Sequence, residues 1–260
     1  MRETLKALFT LCIFIFFTNA WAKLDTFYPQ DFEYQIKSGQ LKNLELKKYL
    51  YDIISYPHNA LGYDKARQVL FGKLYLEQGP QGYFLRDAYC HKEFSGPYIG
   101  PFKIPDHNEI NVEHTWPQSK YGARDEKYKV CDLHHLFIAD NTGNKARANN
   151  PFGETTKGVP AASDCPDSKV EKIPTLNGKT SFIFEPPHEH KGNVARALFY
   201  FAVRYKLALD PEQEKTMRLW NKLDPIDDKE RENNDIIEEF QGNRNPFIDF
   251  PELSDAIADF

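Results

Sequence analysis

The chain of 260 residues is long enough for one large domain or two small ones, and its 41% hydrophobic and 27% charged residues are ordinary for a globular protein. That balance argues against wholesale disorder, a collagen-like repeat or a coiled coil, and a mean hydropathy of -0.62 with one long apolar run argues against a polytopic membrane protein. The net charge of -5 leaves a nucleic-acid partner open, because phosphate contacts need a local basic patch rather than a basic total.

Met1 to Lys6 carries Arg2 and Lys6, Ala7 to Phe17 is apolar, and Ala20-Trp21-Ala22 offers small residues for cleavage after Ala22. This is the layout of a secretory signal peptide. Residues 1–22 are therefore expected to leave, and residues 23–260 to form the mature protein in the periplasm or outside the cell, with no stable membrane association. An uncleaved anchor is the alternative, although the apolar run spans only roughly 16 Å as a helix, about half a bilayer core.

Leu41 to Tyr56 places Leu44, Leu46, Leu50, Ile53 and Ile54 roughly on one helical face, and Asp64 to Tyr75 reads as a second helix. Tyr83 to Tyr89 and Glu109 to Glu113 are short and strand-like. Residues 97–107 and 150–168 are rich in Pro, Gly and Asp and read as loops. From Lys191 to Leu209 a helix returns, with Val194, Leu198, Phe201 and Ala202 at helical spacing and Asn193 as its cap or in its first turn. Leu219 to Leu223 and Asn234 to Phe240 continue a helical C-terminal third. The fold class is α+β: an irregular mixed domain with helical N- and C-terminal parts.

Chemistry concentrates in residues 113–150. Glu113-His114-Thr115-Trp116-Pro117-Gln118-Ser119 sets a carboxylate beside an imidazole, one potential metal ligand and one potential base. Neighbours in a strand point to opposite faces, so the two can serve one site only at a strand end or bend, and Pro117 stops the strand nearby. Asp132-Leu133-His134-His135-Leu136 leads to Asn141-Thr142-Gly143-Asn144-Lys145-Ala146-Arg147-Ala148-Asn149. If the latter is a short helix, Asn144 and Arg147 share a face. An amide oxygen suits a hard cation and a guanidinium suits a phosphate. The plainer reading of these asparagines is turns and caps. His188 and His190, flanking Glu189, read more simply as surface or capping residues than as zinc ligands.

Taken together, the Glu113–Ser119 and Asp132–Leu136 motifs resemble the bacterial endonuclease I family of secreted metal-dependent nucleases. Asn144 to Asn149, Lys191-Gly192-Asn193-Val194-Ala195-Arg196-Ala197 and Gln241-Gly242-Asn243-Arg244-Asn245-Pro246-Phe247-Ile248-Asp249 follow in family order. The resemblance implies a ββα-metal (His-Me finger) active site in which His114 is the general base, Glu113 and Asn144 hold one divalent ion, and Arg147 lies near the phosphate. The ion expected is Mg²⁺, with Ca²⁺ or Mn²⁺ as substitutes. His134, Gln118, Lys120 and Lys145 are expected to bind substrate, and the field of Lys120, Arg124, Lys127, Lys129 and Lys145 to meet the phosphates. The chain departs from the family pattern at Val130, Thr142 and Asn193. The implied activity is sequence-nonspecific hydrolysis of DNA and RNA by a monomer, leaving 5′-phosphates. Two other readings are a zinc hydrolase built on His134, His135, His188 and His190, and an inactive nucleic-acid-binding relative.

Cys12 leaves with the signal, so Cys90, Cys131 and Cys165 allow three single pairings in an oxidising compartment. The expected pair is Cys131–Cys165, which would tether the weakly helical Asn144 segment at both ends and leave Cys90 free.

Overall fold

The computed structural model describes residues 27–174 and 180–260. The expected signal peptide over residues 1–22, Cys12 included, lies outside the described residues. Helices α1 (Phe32–Lys37), α2 (Asn43–Ser55) and α3 (Tyr63–Val69) open the fold, the last continuing as a π turn through Leu74. In α2 the residues at helical spacing are Leu46, Leu50 and Ile54, all buried, whereas Leu44 is 77% exposed. The expected five-residue face is thus narrower: Leu44 falls outside the stripe that meets the core.

Strands β1 (Leu76–Gly79), β2 (Gly82–Arg86) and β3 (Glu93–Ser95) form a small antiparallel sheet. An irregular stretch over residues 97–107 leads to β4 (Ile110–His114). After the short α4 (Glu126–Lys129) comes β5 (Leu136–Asp140), which pairs antiparallel with β4, and α5 (Asn141–Arg147) follows it without a loop. Strands β6 (Val159–Ala162), β7 (Cys165–Pro174) and β8 (Thr180–Glu185) make a third antiparallel sheet in that order. Residues 150–168 therefore carry β6 and the start of β7 and are not a plain loop. Their prolines sit where a sheet tolerates them: Pro160 is on the edge strand, and Pro166 and Pro174 are near the two ends of β7.

Helix α6 (Lys191–Tyr205) is almost wholly buried and packs against α2 and α7 (Pro211–Leu223). It ends at Tyr205, short of the expected Leu209, and Asn193 is its third residue. Helices α8 (Asp228–Gln241), α9 (Pro246–Asp249) and α10 (Leu253–Ala256) complete an α+β fold. No helix among the described residues is long and apolar enough to cross a membrane.

Two hydrophobic clusters organise these elements. One gathers Leu46, Leu50, Ile54, Trp116, Phe184, Trp220 and Phe260 around α6. The other joins Val69, Leu70, Leu85, Ile110, Val112, Leu136, Ile138 and Ile237. The disulfide links Cys90 to Cys165, and Cys131 is free, which corrects the expected pairing. The reason lies in the β6–β7 hairpin, which carries Cys165 back to the Tyr89–Cys90 turn, where Ser168 Oγ donates to the Tyr89 carbonyl at 2.8 Å. Cys131 belongs to the other cluster, and its thiol donates to the Lys127 carbonyl.

Candidate active site

Strand β4 pairs Val112 with Ile138, Glu113 with Phe137 and His114 with Leu136. Strand alternation sends Val112 and His114 to one face and Glu113 to the other. His114 is the last residue of β4, so the chain is free to turn there. Helix α5 starts on a good cap: Asp140 accepts from the backbone N–H groups of Thr142 and Gly143. Its sequence is a poor helix former, and it is held by tertiary contacts. Gly143 lies directly over the disulfide, where an added Cβ would sit 2.7 Å from Cys90 Sγ. The helix reaches β4 through two side chains one turn apart. Asn144 Nδ2 donates to the Val112 carbonyl at 3.2 Å, and Arg147 donates to the Thr115 carbonyl at 2.6 Å. These contacts flank Glu113 on both sides.

The His114 ring is 9% exposed. Its Nε2 lies 3.2 Å from the Val130 carbonyl. A carbonyl only accepts, so this contact assigns the hydrogen to Nε2 and the lone pair to Nδ1. The Gln118 amide nitrogen lies over the ring edge, 3.1 Å from Nε2 and 3.3 Å from Nδ1, and, being on an exposed side chain, can exchange these contacts for water. Burial lowers the His114 pKa to about 3, with His135 and Arg147 adding to the effect and the Val130 carbonyl opposing it. The ring is neutral at pH 7.

Glu113 is 2% exposed, and its Oε1 has no hydrogen-bond partner. Arg147 Nε stands 3.3 Å away without forming a hydrogen bond. Burial pushes the Glu113 carboxyl up, and Arg147 pulls it back only in part. The rest of the Arg147 guanidinium is committed to the Thr115 and Ala148 carbonyls and lies over the Phe152 ring. A desolvated carboxylate with an unpartnered oxygen, and an amide whose nitrogen is engaged while its oxygen is left over, make a donor set of the kind a hard divalent cation takes. Glu113 and Asn144 fit that ion.

The family model for Endonuclease I matches residues 44–252. The chain belongs to the endonuclease I family. An extracellular ribonuclease of Bacillus subtilis (strain 168) is 32% identical over 257 residues, covering 91% of this chain and 80% of that relative. A second extracellular ribonuclease, from Bacillus amyloliquefaciens, is 39% identical over 165 residues, and the match spans 53% of its length. An extracellular deoxyribonuclease of Aeromonas hydrophila is 31% identical over 186 residues, covering 62% of this chain and 78% of that protein. Membership makes the chain a nucleic-acid hydrolase.

Other residues of this endonuclease I chain stand at varied distances from the His114–Glu113 pair. Lys120 and Arg147 border a cavity of about 270 Å³ that Trp116, Pro117 and Asn150 also line. Partial desolvation and the Arg147 charge hold the Lys120 ammonium below its usual pKa. Lys145 is exposed on α5. His134 is not brought to this cluster: it is buried, its Nε2 donates to the Asn243 carbonyl, and its ring packs on Tyr200. His135 stays nearer, with its ring edge-on to His114 at 5.4 Å. Asp132 is a hub. It accepts from Tyr200, Tyr205, Gln241 and the His134 N–H, tying the segment before β5 to α6 and α8. His190 is buried against Phe137, whereas His188 is exposed. Among the described residues no group of three or more His, Cys, Asp or Glu side chains converges to hold a metal, so the histidines of the zinc reading do not assemble.

Sequence reasoning missed Tyr89. Its buried hydroxyl has no hydrogen-bond partner, and burial, with the charge of Glu113 adding to it, raises its pKa. A lone tyrosine far from the motif gives no signal of this kind in the sequence.

Proposed function

We propose that this protein is a secreted, sequence-nonspecific endonuclease that hydrolyses DNA and RNA phosphodiesters with one divalent cation, leaving 5′-phosphates. Residues 23–260 form the nuclease domain, which acts as a monomer after cleavage at Ala22. The observation that carries the reading is the ββα segment β4–β5–α5, which carries a neutral imidazole at a strand end and, on the preceding residue, a buried carboxylate with an unpartnered oxygen. The relatives include extracellular ribonucleases and an extracellular deoxyribonuclease, which supports both substrates and export.

His114 Nδ1 takes the proton of the attacking water as Gln118 gives way. Its low pKa keeps the lone pair available, and the negative charge of an approaching phosphodiester raises it toward the working range. Glu113 and Asn144 hold the cation, Mg²⁺ by preference with Ca²⁺ or Mn²⁺ as substitutes. When bound, the ion neutralises charge on the scissile phosphate and the leaving 3′ oxygen. Arg147 holds the end of β4 against α5 and places its charge behind Glu113. Lys120 and Lys145 supply positive field to the backbone. Contacts confined to phosphate and sugar give no base preference.

Digestion of plasmid DNA and of a structured RNA by purified protein, with and without EDTA, tests this reading. Cleavage of both substrates that EDTA abolishes and Mg²⁺ restores is expected; intact substrates, or cleavage indifferent to EDTA, would overturn it. Glu113→Ala and Asn144→Ala should each raise the Mg²⁺ requirement, with a combined effect well short of additive, because both act through one ion.

A further inference from the structure

Helix α2 carries a second face besides the one that meets the core. Leu44, Lys47, Lys48 and Tyr51, at helical spacing, line a cavity of about 490 Å³ against the end of α6. Val203, Leu207, Ala208 and Phe260 close its other side, and Leu44 is left largely exposed on its apolar wall. The cavity's charged side chains are Lys47, Lys48 and Lys206 against one carboxylate, Asp259. Lys47 Nζ donates to the Asp259 carbonyl at 2.9 Å, and Lys48 and Lys206 form no ion pair among the described residues. Lys206 is held by Tyr51 instead, with its Nζ 3.5 Å from the ring centroid. It also occupies the left-handed C-cap of α6 at φ +53°, a position that glycine fills more readily. The cavity adjoins the one bordered by Lys120 and Arg147: Ala208 lines both, and Leu209 and Trp116 continue the second.

We propose that this groove is a second binding site for the substrate, which takes a single nucleic-acid strand beyond the point of cleavage, with phosphates on Lys47, Lys48 and Lys206 and a base on the apolar wall. The inference deepens the nuclease reading and rests on it. A chain of net charge -5 needs a local cationic area to hold a polyanion, and this one is continuous with the cavity beside Lys120 and Arg147. A nucleotide is itself an anion with an apolar face, which matches lysines at the rim and aliphatic side chains behind them. A duplex keeps its bases stacked and offers the wall nothing, so the groove favours single-stranded DNA and RNA.

The test is fluorescence anisotropy of a labelled oligothymidylate of about 16 nucleotides with the full mature protein in EDTA, over a series of salt concentrations. Wild type is compared with a triple variant, Lys47→Gln, Lys48→Gln and Lys206→Gly, the last of which suits the left-handed cap. Circular dichroism verifies the fold. Loss of three phosphate contacts is expected to reduce the slope of log affinity against log salt by about 2, so that wild type loses about 20-fold more affinity than the variant between about 50 and 200 mM salt. Mg²⁺-dependent cleavage of a strand of about 4 nucleotides, too short to reach the groove, should be unchanged. Leu44→Ser removes apolar wall but no charge; it should weaken the long single strand about 5-fold and leave a duplex of equal length unaffected. An unchanged slope in the folded triple variant would overturn the proposal, as would an equal loss in cleavage of the short strand. A Leu44→Ser defect shared by the duplex would remove the preference for single strands. If the triple variant does not fold, Lys48→Gln alone must lower the slope by about 0.7, and no change would again sink the assignment. Binding of anionic phospholipid vesicles through these lysines, with the oligonucleotide slope indifferent to them, would give the groove to a lipid surface instead. Failure of wild type to cleave the short strand with Mg²⁺ would count against the nuclease reading, while the binding slopes still judge the groove.

Discussion

Glu113 and Asp132 are two carboxylates equally withdrawn from water, 2% and 0% exposed, and the fold treats them in opposite ways. Asp132 receives two tyrosine hydroxyls, an amide and a backbone N–H. Burial pushes its carboxyl up, but His58, His134, His135 and the Tyr205 hydroxyl more than offset this and hold it well below the usual range. Glu113 meets a guanidinium that does not complete a hydrogen bond, and its carboxyl is pushed up. A buried acid whose lone pairs are filled is structural, and one with a vacancy is poised for a ligand. Both occur within twenty residues of sequence, and only their surroundings tell them apart.

The sharpest separation should come from His114→Ala. Its turnover is expected to fall about 10²- to 10⁴-fold, with little change in fold or nucleic-acid binding; near-wild-type turnover would remove His114 from its role. Reduction of Cys90–Cys165 should come next. The bridge spans 75 residues, and closing such a loop contributes about 4.5 kcal/mol in the chain-entropy model. Reductant should therefore lower the melting temperature and raise the Mg²⁺ requirement together, since the bridge lies under α5. Non-reducing peptide mapping should find that linkage with Cys131 as a free thiol.

A third measurement sets the two acids against each other. Asp132→Asn should cost about 3 kcal/mol in denaturant unfolding, because donors are left without an acceptor. Glu113→Gln should change stability by less than about 1 kcal/mol while losing Mn²⁺ affinity. Equal destabilisation by the two would erase the distinction.

A further measurement concerns acid. Burial lowers the pKa of His58 and His135 to about 4 and of His190 to about 3. An unfolded chain takes up these protons near pH 6.5 and the folded one does not. Their contribution is therefore complete above about pH 6.5 and is lost as the pH falls toward 4, at up to about 1.4 kcal/mol per pH unit for each histidine. His190→Phe should flatten the stability curve over that window by about one proton's worth.

Much of this was legible in the sequence, for identifiable reasons. The helix over Lys191–Tyr205 announces itself because its apolar residues repeat at the helical period. The β4–β5–α5 segment was legible only through the resemblance of the Glu113–Ser119 and Asp132–Leu136 motifs to the endonuclease I family, since nothing local marks Leu136–Asp140 as a strand. Strands β6 and β7 were illegible because Pro160, Pro166 and Pro174 signal turns to any local rule, and only the sheet shows that they sit at an edge or an end. The disulfide partner of Cys165 was equally out of reach, since the β6–β7 hairpin chooses it. Which buried acid lacks partners is a property of side chains from α6 and α8, all distant in sequence.

The strand pair at the centre of the site belongs to both hydrophobic clusters: Ile110, Val112, Leu136 and Ile138 contribute to one, and Ala139, with Trp116 just beyond β4, to the other. The site is thus a seam between two cores rather than a loop laid over one. Opening it locally requires parting both, so its backbone amides should exchange with solvent only at rates close to those of global unfolding. Heat would then end catalysis by a single cooperative event, with no earlier stage in which the protein is folded but its site has melted.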